Sequence, residues 1–234
     1  MWAAGEAGGR HEVKLALDPL GFERVRAELA LHASAVRRQH PERIVQSLYF
    51  ERAGERVDPL EGSDERAKLR LRWYGDACLA VRARLEEKSR RGELGFKRAD
   101  ELDGPFDVEH AMSRELLARL RALAPARWRA HLARDIRPSH WTAYRREYLV
   151  TADGRVRVTI DRDLRAFDQR FLARVERGAA TPLPNVTIVE LKARPDARDE
   201  LRELCCSLSA RPERCSKLAL ASDPRFLHAV TDLF

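Results

Sequence analysis

The sequence has few cysteines, and it lacks several motifs that mark common enzyme classes. Its four cysteines include no C-x-x-C pair and none with a histidine at zinc-finger spacing, which argues against a disulfide framework and a structural zinc site. The motifs G-x-x-x-x-G-K-[ST], G-x-G-x-x-G, G-x-S-x-G and H-E-x-x-H are all absent. P-loop, dinucleotide-binding, α/β-hydrolase and zincin chemistry therefore have no support in the sequence.

Long apolar runs are also missing. No stretch approaches the roughly 18 apolar residues that a membrane span needs. The segment Met1 to Gly9 is small and Gly/Ala-rich, without the basic and apolar regions of a signal peptide. We therefore expect a cytoplasmic protein with no membrane span, in which residues 1–9 form a flexible tail and residues 10–234 form a single domain.

Lysine is scarce although the chain is basic. The 44 basic residues exceed the 37 acidic ones and give a net charge of +7, which indicates an anionic partner. Lysine supplies only six of the 44, at positions 14, 68, 88, 97, 192 and 217. If arginine has replaced lysine wherever only charge matters, each remaining lysine marks a site that needs a compact ammonium group.

Hydrophobic periodicity and turn residues predict strands that are interrupted by helices. The predicted strands are Arg10–Leu17, Ile44–Phe50, Arg66–Tyr74, Leu79–Lys88, about Leu94–Arg98, His140–Val150, Arg155–Asp161 and Val186–Ala193. The predicted helices are Leu20 to about Arg38, a helical insertion at about 108–132, and C-terminal helices within about 197–221.

Four of these strands alternate charged and apolar residues. The clearest runs from Arg66 to Trp73, with four cations on one face and Ala67, Leu69, Leu71 and Trp73 on the other. A half-exposed sheet with a solvated charged face would show this pattern. Neighbouring cations about 7 Å apart repel one another by roughly 2 kcal/mol at an effective dielectric of 20, so an enclosed row needs carboxylates or a bound polyanion. The second interpretation is an α+β fold: a closed antiparallel β-barrel, charged inside and covered outside by helices.

Three E-x-K triples add carboxylates to this cationic face. They are Glu12-Val13-Lys14, Glu86-Glu87-Lys88 and Glu190-Leu191-Lys192, all on predicted strands with Glu and Lys on the same face. A same-face salt bridge would explain each one alone. Together with the cations they suit Mg²⁺ or Mn²⁺, which one or two carboxylates and substrate phosphate oxygens can hold.

At this point the sequence resembles a known family, the polyphosphate polymerase domain of the vacuolar transporter chaperone (VTC) proteins, within the CYTH-like or triphosphate tunnel metalloenzyme superfamily. The most specific resemblance is Ser47-Leu48-Tyr49-Phe50 followed by the ladder Arg66-x-Lys68-x-Arg70-x-Arg72-Trp73-Tyr74-Gly75. Further matching positions are the three E-x-K triples, Lys97, Tyr144-x-Arg146, the run Val156 to Asp161, and Ser216-Lys217.

The resemblance implies a tunnel that transfers the γ-phosphate of ATP to a growing inorganic polyphosphate chain with the help of Mn²⁺ or Mg²⁺. It implies catalytic roles for Lys88, Arg70, Arg72 and Lys217, and substrate binding by Lys14, Lys68, Lys97, Arg146, Arg157 and Lys192. The implied metal ligand is Glu190, with Glu86 and Glu12 as further candidates.

Some alternatives remain open. Position 10 is Arg where the superfamily's hydrolases often carry a further Glu, which favours a polymerase over a triphosphate hydrolase. A non-catalytic polyphosphate-binding module is another possibility. No nucleic acid partner is expected, because few aromatic residues lie near the basic strands. Arg145 and Arg146 compete for the inward-facing position on their strand.

Overall fold

The eight strands that the structure describes belong to one antiparallel sheet. The computed structural model describes residues 9–52, 68–91, 94–133, 135–213 and 215–223. Its strands are β1 (His11–Leu17), β2 (Arg37–Arg52), β3 (Lys68–Tyr74), β4 (Arg84–Arg91), β5 (Leu94–Glu101), β6 (Ile136–Val150), β7 (Val156–Asp168) and β8 (Thr187–Ala193). Their order in the sheet is β1-β8-β7-β6-β2-β3-β4-β5.

The sheet curls until its two edge strands meet. Arg10, just before β1, and Gly95 on β5 exchange backbone hydrogen bonds of 3.2 and 3.0 Å. The Nζ of Lys88 on β4 also donates to Glu12 on β1, at 2.9 Å. The curled sheet therefore encloses a tunnel, and the predicted α+β tunnel fold is confirmed.

Within the described ranges, five α-helices accompany the sheet. They are α1 (Pro19–Leu31), α2 (Ser113–Leu123), α3 (Arg129–Leu132), α4 (Arg198–Cys206) and α5 (Lys217–Ser222). Asp18 begins α1, because its Oδ1 accepts from the Gly21 amide at 2.7 Å and Pro19 occupies the first turn. In the described part of the chain, no helix is long and apolar enough to cross a membrane.

Among the described residues, the two larger hydrophobic cores lie on the outer face of the sheet. One packs α2 and the segment around Trp128 against β2, β3 and β6, with Trp73 and Trp141 edge to face at 5.4 Å. The other packs α1 and α4 against β1, β7 and β8. Because side chains alternate along a strand, covering the apolar face turns the charged face into the tunnel.

Several predicted boundaries were wrong. The helix predicted to reach Arg38 ends at Leu31, and β2 begins at Arg37. The predicted insertion helix is divided, because Pro125 cannot continue α2. The strand predicted from Leu79 begins only at Arg84, since Ala80 has a φ of 52°. Arg66 and Ala67, predicted to start β3, lie outside the described residues.

Candidate active site

The tunnel is lined by basic residues grouped around carboxylates. The ten predicted cations all face the tunnel or reach it from α5: Lys14, Lys68, Arg70, Arg72, Lys88, Lys97, Arg146, Arg157, Lys192 and Lys217. Four carboxylates stand among them: Glu12, Glu86, Asp161 and Glu190. With all ten cations protonated, these groups leave six positive charges uncompensated.

The first group surrounds Glu86 on β4. Its Oε2 accepts from Nε of Arg70 at 2.9 Å, and its Oε1 accepts from Lys97 at 2.5 Å. Nη1 of Arg72 lies 3.5 Å from Oε2. Burial opposes ionisation of Glu86, but Arg72, Arg70 and Lys97 outweigh it and hold the pKa of this carboxyl well below its usual range. Glu86 is therefore an anion that fixes three cations.

The second group joins three strands and α5. Asp161 on β7 accepts from Nε and Nη2 of Arg146, both at 2.6 Å, and it contacts Nζ of Lys217 at 2.5 Å. Glu190 on β8 contacts Lys217 at 3.2 Å, lies 3.6 Å from Arg146 and is paired with Lys192. Although burial opposes it, the neighbouring cations Lys192, Lys217 and Arg146 lower the pKa of Glu190 well below its usual range.

The third group links side chains of β1 and β4. Glu12 contacts Lys88 at 2.9 Å and Lys14 at 3.4 Å. Lys14 also donates to the carbonyl oxygen of Cys215 at 2.8 Å, and Lys68 donates to Oγ of Ser216 at 3.1 Å. The segment that leads into α5 is thus attached to the tunnel wall by lysines.

Three lysines in these groups lose protons easily. Burial lowers the pKa of Lys192 to about 7, and Glu190 and Glu12 offset this only in part. Burial and the nearby Lys14 lower the pKa of Lys88 to about 8, while Glu12 acts in the opposite direction. Burial lowers the pKa of Lys97 to about 8 against the pull of Glu86. A bound polyanion would restore their charge.

Hydroxyl groups hold the arginine forks in place. The hydroxyl of Tyr49 accepts from Arg70 at 3.2 Å, and that of Tyr144 accepts from Arg72 at 3.2 Å. Arg72 also donates to Oγ of Ser47 at 3.3 Å. These interactions fix the guanidinium planes in the direction of the tunnel.

The structure brings the thirteen predicted site residues to one tunnel. Arg146 points inward and Arg145 outward, where Arg145 pairs with Glu42 at 3.2 Å. The sequence prediction did not include Asp161, Tyr49 or Tyr144 as site residues. The alternation of Arg157, Thr159 and Asp161 along β7 places all three on the same face and could have identified Asp161.

The carboxylates suit a metal that arrives with phosphate. Within the described residues, no three His, Cys, Asp or Glu side chains are grouped as a metal cage. Mg²⁺ and Mn²⁺ do not need one, since they bind one or two carboxylates together with phosphate oxygens. The Glu190 and Glu12 side chains are 9% and 10% exposed, more than Glu86, which is 1% exposed.

Comparisons with known proteins agree with the tunnel geometry. The family model of the VTC domain matches residues 9–222. Among solved structures, the PH1819 protein from Pyrococcus horikoshii OT3 has a TM-score of 0.50 at 15% identity, covering 90% of this chain and 97% of that one. At that identity it shows the fold alone.

A second solved structure, the Schizosaccharomyces pombe Mediator head module, has a TM-score of 0.40 at 10% identity, covering 96% of this chain and 94% of that one. A likeness at that level carries no argument. A search of curated proteins found no match. With the family model spanning most of the sequence and the tunnel fold in place, the chain belongs to the VTC domain family.

Proposed function

We propose that the protein is a polyphosphate polymerase, which transfers the γ-phosphoryl group of ATP to the end of an inorganic polyphosphate chain inside the tunnel. Membership of the VTC domain family supports a polyphosphate-related function of the kinase or polymerase type. The observation that carries the finer proposal is the grouping of ten cations around four ionised carboxylates in one enclosed tunnel.

This arrangement suits phosphoryl transfer, because such transfers depend on alignment and charge stabilisation more than on covalent chemistry. The bond between the γ-phosphorus and its bridging oxygen breaks, and the terminal oxygen of the chain forms a new bond to that phosphorus. ADP leaves with the bridging oxygen. The attacking oxygen is already anionic, so the reaction needs no general base.

Arginines and lysines have different roles in the tunnel, because a guanidinium is a planar fork and an ammonium is a compact charge. The forked donors of Arg70 and Arg72, held by Glu86, Tyr49 and Tyr144, grip non-bridging oxygens. Lys88 and Lys217 supply point charges at the transferring and leaving groups. The remaining predicted substrate-binding residues line the path of the phosphate chain: Lys14, Lys68, Lys97, Arg146, Arg157 and Lys192.

A divalent metal would be held by Glu190 with the help of Glu12, and it would neutralise charge on the phosphate oxygens. Glu86 was also predicted as a ligand, but its side chain is 1% exposed, against 9% for Glu190 and 10% for Glu12, and it is paired with Arg70 and Lys97. We therefore assign it the role of counter-ion to those cations.

The test is incubation with ATP and Mn²⁺, read for product length on a gel. We expect a ladder of long chains, whereas release of orthophosphate alone would indicate a hydrolase and contradict the proposal. Glu190→Gln should lower the rate by about 10²-fold, the usual scale for losing one electrostatic group in such a site. The matched control is Glu42→Gln, which removes a carboxylate that pairs with two arginines outside the tunnel.

A further inference from the structure

The tunnel opens to solvent at the end of β3. Tyr74 is the last residue of this strand and lies on the same face as Arg72. Arg72 is 6% exposed, whereas Tyr74 is 42% exposed. Exposure thus rises steeply within two residues, and the ring of Tyr74 forms part of the tunnel mouth.

Arg43 on β2 stands beside this ring. It pairs in register with Arg146, so both side chains leave the sheet on the tunnel side. Its guanidinium carbon lies 5.8 Å from the ring centroid of Tyr74 and 6.0 Å from that of Tyr148. The His40 ring is edge-on to Tyr148 at 5.8 Å. The mouth therefore presents flat groups, three of which, Tyr74, Arg43 and His40, are exposed.

These groups differ in kind from those deeper in the tunnel. An exposed tyrosine ring offers little to a phosphate, but tyrosine rings and guanidinium planes both stack on the faces of nucleobases. The phosphate-binding cations begin one step further in, at Arg72 and Arg146. Residues two apart on a strand are separated by about 7 Å, and the ribose of a nucleotide can bridge that distance.

We propose that Tyr74 and Arg43 form a nucleobase subsite at the tunnel mouth. The base of the donor stacks on them while its phosphates enter between Arg72 and Arg146. The inference rests on the proposed function, and it adds that the donor is recognised as a nucleoside triphosphate and not only as a chain of phosphates.

The test compares two ligands, the β,γ-imido analogue of ATP and inorganic tripolyphosphate, by calorimetry without added metal. Tyr74→Ala should weaken binding of the ATP analogue about tenfold, a loss typical of one stacked base. Binding of tripolyphosphate should change by less than about twofold, since no phosphate contact is lost. Saturation transfer from the protein to the adenine protons should be seen with the wild type and lost in Tyr74→Ala.

Two conservative variants separate stacking from charge. Tyr74→Phe keeps the ring and should retain wild-type affinity for both ligands. Arg43→Lys keeps the charge but not the planar guanidinium, so it should weaken binding of the ATP analogue and not of tripolyphosphate. The matched control is Phe171→Ala, which removes an exposed ring that also has an arginine 5.8 Å from its centroid but lies on the loop after β7.

An equal loss for both ligands in Tyr74→Ala, or no loss for either, would overturn the subsite. The polymerase assay gives an independent result for the proposed function. If the Tyr74→Ala protein makes long chains with an unchanged dependence on ATP concentration, the polymerase proposal is supported and the subsite is contradicted. Wild-type protein that binds neither ligand would overturn both.

Discussion

At the scale of single residues, the buried lysines make the tunnel sensitive to pH. Lys192 has a pKa of about 7, and Lys88 and Lys97 have pKa values of about 8, because burial disfavours their charged forms. Well below pH 7 all three carry a charge in the empty tunnel, and above pH 9 they are largely neutral. The electrostatic attraction for a polyanion therefore falls as the pH rises through this window.

The fall in attraction for a polyanion with rising pH can be measured. The dissociation constant of inorganic tripolyphosphate should rise by about tenfold or more between pH 7 and pH 9, a change of about 1.4 kcal/mol. Binding at pH 8 should take up protons, which calorimetry in buffers of different ionisation enthalpy detects. Lys88→Arg should show a shallower pH dependence, since an arginine stays charged; the ligand titrates identically in both proteins. Equal slopes for the two proteins would contradict a titrating Lys88.

The same lysines affect folding. Between about pH 7 and their ordinary pKa of 10.5, each binds more protons in the unfolded chain than in the tunnel. The contribution of these lysines to the free energy of unfolding of the empty protein therefore rises with pH across that window.

At the scale of elements, α5 connects packing to chemistry. Its buried Leu220 packs with Val186, Ile188 and Cys215. Its first residue, Lys217, reaches Asp161 and Glu190 inside the tunnel. A helix of six residues has little stability of its own, so apolar packing must help the contacts of Lys14 and Lys68 to hold Lys217 in position.

Leu220→Ala should therefore impair the reaction without removing a charge. We expect it to cost about 2–5 kcal/mol of stability by leaving a cavity, and to lower kcat by about tenfold even under conditions where the protein is fully folded. The control is Leu201→Ala on α4, which is 3% exposed and belongs to the core that packs α1 and α4 against β1, β7 and β8. Similar urea unfolding midpoints for the two variants with kcat lowered only in Leu220→Ala would support the role of α5; equal kcat values would refute it.

The sequence predicted elements best where one periodicity ran without interruption. The alternation of Lys68, Arg70 and Arg72 predicted which side chains enter the tunnel, because a strand without bulges keeps its register. It could not decide between Arg145 and Arg146. The register between β6 and β7 shifts after Ala143, and a one-residue shift exchanges the two faces of a strand.

The start of β2 and the role of Asp161 were also not predicted from the sequence, again because contacts with other elements decide them. Residues 37–43 are polar and include Pro41, so they show no strand pattern, yet they extend β2 because β6 pairs with them. Asp161 ends an apparent strand in the sequence, and its function depends on Lys217, which is distant in the chain. Contacts of that range are set by the fold and leave no local pattern.

At the scale of the whole molecule, the empty tunnel contains more positive than negative charge, and this excess opposes folding. Tripolyphosphate at 100 times its dissociation constant should add about 2.7 kcal/mol of stability, which corresponds to a rise in Tm of roughly 5–10 °C for a chain of this size. Thermal unfolding measures this directly. Sulfate at the same ionic strength is the control for screening, and an equal rise with sulfate would mean that the tunnel does not select chains of phosphate.

The junction between β1 and β5 has a consequence for how the barrel opens. β1 is joined to β8 over seven register pairs, from His11 to Leu17. Its other side meets β5, within the described residues, at the Arg10–Gly95 bridge. Local opening follows the path that breaks the fewest contacts, so the amides of Arg10 and Gly95 should exchange with deuterium before those shared by β1 and β8. The wall that encloses the tunnel thus has a weak seam between β1 and β5. Opening of this seam would let a long polymer enter from the side without being threaded from one end.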